Sequence, residues 1–76
     1  MDALSTRIAD RIRKAVEEAR VTHAEFALVL GVSEVTVGRR LRGERAYNLT
    51  EIVKAGEFLK IDISDLFFGL STDLVA

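Results

Sequence analysis

The stretch THAEFALVLGVSEVTVGRRLRG, residues 22–43, contains two sets of helix start and stop signals that meet at a three-residue turn, Gly31–Ser33. Thr22, followed three residues later by Glu25, forms a capping box in which each side chain bonds the other residue's backbone N–H. Gly31 lets the chain reverse without a Cβ clash, and Ser33 is a favoured N-cap for the next helix. We therefore predict a helix of about two turns, a tight turn and a second short helix at the centre of the chain.

The two central helices can pack at a steep angle only if the residue near their crossing is small, and Ala27 occupies that place. The second helix, predicted over residues 34–42, carries Val37 and Leu41 four residues apart on one face. It ends before Gly43, where a left-handed backbone is usual. This arrangement is a helix-turn-helix, which leaves the other face of the second helix free to enter a DNA major groove.

The rest of the chain is also helical in pattern. Apolar residues recur every fourth position in the first helix, which is typical of an amphipathic helix: Leu4, Ile8, Ile12 and Val16. Residues 48–51 form another capping box that opens a fourth helix, and Asp62 opens a short fifth one. We predict an all-α, compact five-helix bundle that forms a single domain over residues 1–76.

Composition excludes several other classes of protein. The chain has 76 residues, no cysteine and one histidine, so disulfides and thiolate or polyhistidine metal sites are not expected. Its apolar runs are far shorter than the ~20 residues of a membrane span, and its first residues lack the order of a secretion signal. No nucleophile–histidine pair, phosphate loop or carboxylate cluster appears. We expect no enzyme activity, no cofactor, no metal, no small-molecule ligand, no membrane contact and a cytoplasmic location.

Charge is unevenly distributed along the chain. The formal net charge is −1, yet four arginines fall within seven residues: Arg39, Arg40, Arg42 and Arg45. Screening at physiological salt cuts off fields beyond about 8 Å, so a polyanion responds to this local cluster rather than to the sum. The cluster favours contact with nucleic acid.

These motifs together resemble a known family. The register Thr22–Ala27, Leu30–Ser33, Thr36–Val37 and Arg39–Glu44, continued through Leu49–Ile52 and Ile61–Leu66, is similar to the phage-repressor/Cro-like helix-turn-helix family, also called XRE. Versions from actinobacteria and their phages resemble it most. The resemblance implies a five-helix domain of the lambda-repressor type that binds double-stranded DNA in a bacterial host cell, usually as a dimer on a pseudo-palindromic operator.

The resemblance also implies which residues read bases: Glu34, Val35 and Arg39. A guanidinium can pair with O6 and N7 of guanine, so Arg39 is the foremost candidate, with a phosphate contact as the alternative. Val35 suits a thymine methyl group. Glu34 either accepts a hydrogen bond from cytosine N4 or only favours the helix N-terminus through the dipole.

Other residues are candidates for contacts with the DNA backbone. By resemblance these are His23, where the family usually has glutamine, together with Thr36 and Arg42. The arginine cluster adds Arg40 and Arg45 as phosphate anchors, although arginines near a helix C-terminus are also favoured by the dipole alone. Arg40 occupies a position that is usually apolar in the family.

The C-terminal region, residues 62–76, has more apolar residues than one short helix can bury. The candidates for a homodimer interface are Ile63, Phe67, Phe68, Leu70 and Leu74. The alternative is that the phenylalanines fold back into the monomer core.

Two functions remain open. The first is a sequence-specific DNA-binding transcriptional regulator, of the Cro-like or immunity-repressor type found in phages and prophages. The second is a protein-interaction module on the same scaffold, such as an anti-repressor or antitoxin, favoured by the acidic balance, by Glu34 and by Leu28. For Leu28 itself we predict a place in the core.

Overall fold

The structure is a computed structural model that describes residues 2–68. It contains five helices in this order: α1 (Ala3–Ala19), α2 (His23–Leu30), α3 (Glu34–Leu41), α4 (Leu49–Leu59) and α5 (Ile63–Phe68). No strand occurs within the described residues. The prediction of an all-α five-helix fold is confirmed.

The core lies at the centre of the bundle, and every helix contributes to it. Five residues, one from each helix in turn, have no exposed surface: Ile12, Phe26, Val37, Ala55 and Leu66. Because no pair of helices could bury these side chains alone, the short helices depend on the bundle for their stability. The helix-turn-helix packs against α1 and α4, and α5 in turn packs against those two helices.

The predicted caps set the helix boundaries. Thr22 and Asn48 each form a complete capping box, and Ser33 caps α3. The second helix of the motif ends at Leu41, one residue earlier than expected, and Gly43 follows with a φ of +78°. These local signals were sufficient to place the helices around the turn.

Leu28 corrects one expectation, because its side chain is 85% exposed rather than in the core. The buried residues of α2 are Phe26, Ala27 and Leu30. At 3.6 residues per turn, position 28 lies about 200° around the helix from Phe26 and so faces outward. The neighbouring Val29 is partly buried against the core.

Candidate nucleic-acid interface

The hydrogen bonds of a capping box fix the start of α2, and a glycine with a left-handed backbone ends the helix at the turn into α3. The backbone N–H of Glu25 donates to Thr22 Oγ1 at 3.1 Å, and the N–H of Thr22 donates to Glu25 Oε1 at 3.0 Å. The second bond lowers the pKa of the Glu25 carboxyl below its ordinary value, because it stabilises the charged form. At the other end, Gly31 has a φ of +71°, a conformation that favours glycine.

α3 has one buried face and one exposed face. Val37 and Leu41 point into the core, whereas Val35 is 64% exposed. Glu34 and Arg39 are exposed beside Val35. The three residues predicted to read bases therefore share the outward surface of one helix.

The start of α3 is held by Ser33, whose hydroxyl accepts from the N–H of Thr36 at 3.1 Å. The same hydroxyl donates to Thr36 Oγ1 at 3.0 Å. Since Thr36 Oγ1 is the acceptor in that bond, its own proton remains available to donate outward. His23 is exposed at the first position of α2, as a backbone contact would require.

Arg42 lies along the side of α3 over Gly38. A Cβ built at Gly38 would meet Arg42 Nη1 at 3.0 Å, so the absence of a side chain makes room for the guanidinium. Arg42 also forms an exposed ion pair with Glu44. The hydrogen bond between them raises the pKa of Arg42 and lowers that of Glu44. A phosphate would have to compete with Glu44 for this guanidinium.

Arg39 and Arg45 are both exposed. Neither makes an ion pair within residues 2–68. Their guanidinium groups therefore do not have to break an ion pair with a carboxylate before they contact another anion. Of the four clustered arginines, these two are the most accessible to a phosphate or a base.

The fourth arginine of the cluster, Arg40, has a different environment from the one we expected. Its Nε donates to Glu51 Oε1 at 2.9 Å and its Nη2 to Glu51 Oε2 at 3.3 Å. The side chains are only 18% and 4% exposed, respectively. Because the pair ties α3 to α4 and is largely withdrawn from solvent, we remove Arg40 from the phosphate anchors.

The family model described as Helix-turn-helix (HTH_3) matches residues 12–66, more than half of the chain. The chain belongs to this helix-turn-helix family. The match supports a DNA-binding, XRE-type transcription regulator, and the family is generally non-enzymatic. Comparison with curated proteins gives no match, and comparison with solved structures gives none either.

The helix-turn-helix family match extends from α1 into α5, so it includes both helices of the motif and the helices that support them. None of the helices described between residues 2 and 68 is both long and apolar enough to cross a membrane.

Sequence reasoning missed three residues near the motif of this helix-turn-helix chain. It identified Glu51 as a cap but not as the partner of Arg40. The signal that could have indicated this ion pair was the arginine itself, at a position that is usually apolar in the family. It gave Gly38 no role, although a glycine inside a helix often marks a close approach. It also overlooked Lys54, whose Nζ lies 3.9 Å from a Cβ built at Gly31 and thus beside the turn.

The predicted dimer residues of this helix-turn-helix chain are only partly described. Ile63 is 41% exposed, and Phe67 is half-buried against the core. Arg7 Nη2 donates to the carbonyl of Phe67 at 2.5 Å and so holds α5 on α1. The Phe68 side chain, Leu70 and Leu74 lie outside the described part of the structure.

Phe67 also lines a cavity of about 250 Å³, together with Leu4, Ser5, Ile8, Tyr47, Leu49 and Ile52.

Proposed function

We propose that the chain is a sequence-specific repressor of the phage or prophage type, Cro-like or immunity-repressor-like, that binds a double-stranded DNA operator in a bacterial cytoplasm. The observation that carries this proposal is the division of α3 into a face sealed in the core and a face exposed beside accessible arginines. A helix in this position can enter a major groove with its N-terminal residues nearest the base edges.

In this proposal the exposed face of α3 reads the sequence. Arg39 pairs with guanine, and Val35 contacts a thymine methyl group. Glu34 lies in the first turn of α3, where it accepts from cytosine N4 or only interacts with the helix dipole. Since Arg39 makes no ion pair within residues 2–68, its guanidinium can present both donors to the base.

The phosphate contacts in this proposal flank the reading face. His23 and Thr36 serve at the N-terminal ends of α2 and α3, and Arg45 serves in the loop after α3. Arg42 joins them only when phosphate displaces Glu44. Contacts of this kind fix the position of the protein on the duplex without reading its sequence.

We also propose that the protein acts as a homodimer. Ile63 supports this idea, because it is an exposed large apolar residue of α5. Phe67 is half-buried on the same helix, and Phe68, Leu70 and Leu74 continue the apolar sequence toward the C-terminus. A dimer would place two copies of α3 about 34 Å apart, one turn of B-DNA.

Selection of bound duplexes from a random pool, followed by affinity measurements against salt, tests the regulator. We expect a pseudo-palindromic site and a log–log salt slope of about −0.9 for each phosphate neutralised. Arg39→Ala should lose roughly 1–3 kcal/mol of operator preference while weak binding to random DNA remains. The matched control Arg11→Ala removes the same charge from the exposed surface of α1 and should retain that preference.

Equal losses on operator and random DNA would demote Arg39 to a backbone contact. Failure to shift any duplex at high protein concentration would favour the second candidate, a protein-interaction module such as an anti-repressor or antitoxin. The 85% exposed Leu28 is the observation that favours this alternative. A Leu28→Ser variant that loses a protein partner while keeping its fold would support it.

A further inference from the structure

The ion pair between Arg40 and Glu51 joins the last turn of α3 to the first turn of α4. Glu51 has two further bonds there: the N–H of Asn48 donates to Glu51 Oε1 at 3.1 Å, and the N–H of Glu51 donates to Asn48 Oδ1 at 2.8 Å. One carboxylate therefore completes the cap of α4 and holds the end of α3 at the same time.

The segment between the two helices, residues 42–48, is anchored at both ends by this arrangement. It carries Arg45 and begins with Arg42, two residues of the proposed phosphate contacts. If the pair opened, the last turn of α3, which carries Arg39, and this segment could shift, whereas the rest of α3 stays packed against α1 and α2. The reading face and the backbone contacts would then no longer match one duplex geometry.

A buried ion pair is a poor source of net stability, because desolvation of both groups opposes their attraction. Removal of one partner is costly, since it leaves the other charge buried and unpaired. A pair of this kind can, however, select one arrangement of the helices around it. That property is what a helix that reads DNA requires.

We propose that Arg40 and Glu51 are positioning residues that set the orientation of α3 for operator recognition without touching DNA. The inference rests on the proposed function, since it assigns these residues a part in specificity. It gives Arg40, expected from sequence to bind phosphate, a role through Glu51 instead.

Two single variants separate positioning from electrostatics, because they change net charge in opposite directions. Arg40→Met removes a positive charge, and Glu51→Gln removes a negative one while glutamine keeps the capping box. If the pair positions α3, both variants should lose operator affinity by roughly tenfold relative to their affinity for random DNA. Electrostatics alone predicts that Glu51→Gln, with its less negative net charge, binds every duplex more tightly.

The double variant Arg40→Met/Glu51→Gln provides the rescue. It contains neither unpaired buried charge, it keeps the wild-type net charge of −1, and the methionine retains an apolar stem between the helices. Operator preference should return to within about threefold of wild type, a non-additivity typical of residues in direct contact. The control Arg13→Met opens an exposed ion pair with Asp10 on α1 and should change no preference.

Binding is measured at a temperature at which circular dichroism shows each variant to be folded. If one single variant does not fold, the other single variant, the double variant and the control carry the comparison. The proposal is overturned if Glu51→Gln keeps or gains operator preference, or if the double variant loses the sum of the two single losses. It is also overturned if Arg40→Met lowers the salt slope on random DNA by about 0.9, the signature of a lost phosphate contact.

Amide hydrogen exchange on the free protein separates this proposal from the regulator itself. The single variants should lose protection in α3 and at residues 42–48 relative to α1, and the double variant should recover it. If the wild-type protein binds no duplex but the variants show this exchange pattern, the regulator function is refuted, whereas the role of Arg40 and Glu51 in orienting α3 is not. Unchanged exchange together with normal operator binding would refute the pair alone.

Discussion

Tyr47 offers the most quantitative stability prediction. Its ring is buried among core residues, and its hydroxyl has no hydrogen-bond partner among the described residues. An unpaired buried polar group costs about 1–3 kcal/mol, so Tyr47→Phe should stabilise the protein by about 1 kcal/mol. For a domain of this size that corresponds to a rise in Tm of roughly 4–8 °C, measured by thermal unfolding at neutral pH.

Tyr47→Phe should also reduce the loss of folding stability that the protein undergoes at alkaline pH. Burial raises the pKa of Tyr47 well above its ordinary value of 10.0, and the charge of Glu51 adds to this effect. Below pH 10 the hydroxyl is neutral in both the folded and the unfolded state, so its ionisation does not change the free energy of unfolding. As pH rises above 10, only the unfolded chain ionises, so wild type loses up to about 1.4 kcal/mol per pH unit and the variant does not.

Tyr47 is the sole tyrosine, so phenolate absorbance during a pH titration reports this group alone. Urea unfolding of wild type and variant across the same pH range gives the free energies. A variant less stable than wild type by about 1 kcal/mol would show that the hydroxyl is hydrogen-bonded. A phenol that titrates at its ordinary pKa in the folded protein would refute the burial argument.

Three further substitutions test the surroundings of α3. Glu44→Gln should release Arg42 for phosphate and steepen the salt slope on random DNA by about 0.9, whereas an unchanged slope would show that Arg42 does not reach the duplex. Gly38→Ala should raise stability by about 0.5–1 kcal/mol in thermal unfolding, because helix propensity improves and only the flexible end of Arg42 must move; a loss would mean that the guanidinium cannot shift. Glu25→Gln should reduce the loss of stability at acid pH, measured by urea unfolding. The lowered pKa of Glu25 gives stability that is present above its ordinary value of 4.5 and is lost as pH falls. If variant and wild type lose stability equally at acid pH, the capping bond to Thr22 is not the source of this pH dependence.

Helix boundaries around the central motif were predictable because caps are interactions between residues three positions apart. The Thr22–Glu25 box and the Ser33 cap form as expected. Two other helix ends carried no such signal. Arg20 and Lys60 adopt left-handed conformations, with φ of +56° and +59°, at positions where glycine is the usual residue.

The exposure of the proposed reading face was also predictable, since the apolar spacing of Val37 and Leu41 specifies which side of α3 is buried. Local pattern was a poorer guide in α2. That helix has apolar residues around most of its circumference, so periodicity alone could not show that Leu28 faces outward.

Local sequence was therefore enough to specify the helices, the turn and the outer side of α3, because capping and periodicity act over one or two turns of chain. The partner of Arg40 required the folded bundle. Glu51 lies eleven residues further along the chain, on another helix. Only the folded bundle, in which α3 and α4 both pack against α1 and α2, brings the two charges together. The low exposure of both side chains then makes Arg40 a link between helices rather than a surface cation.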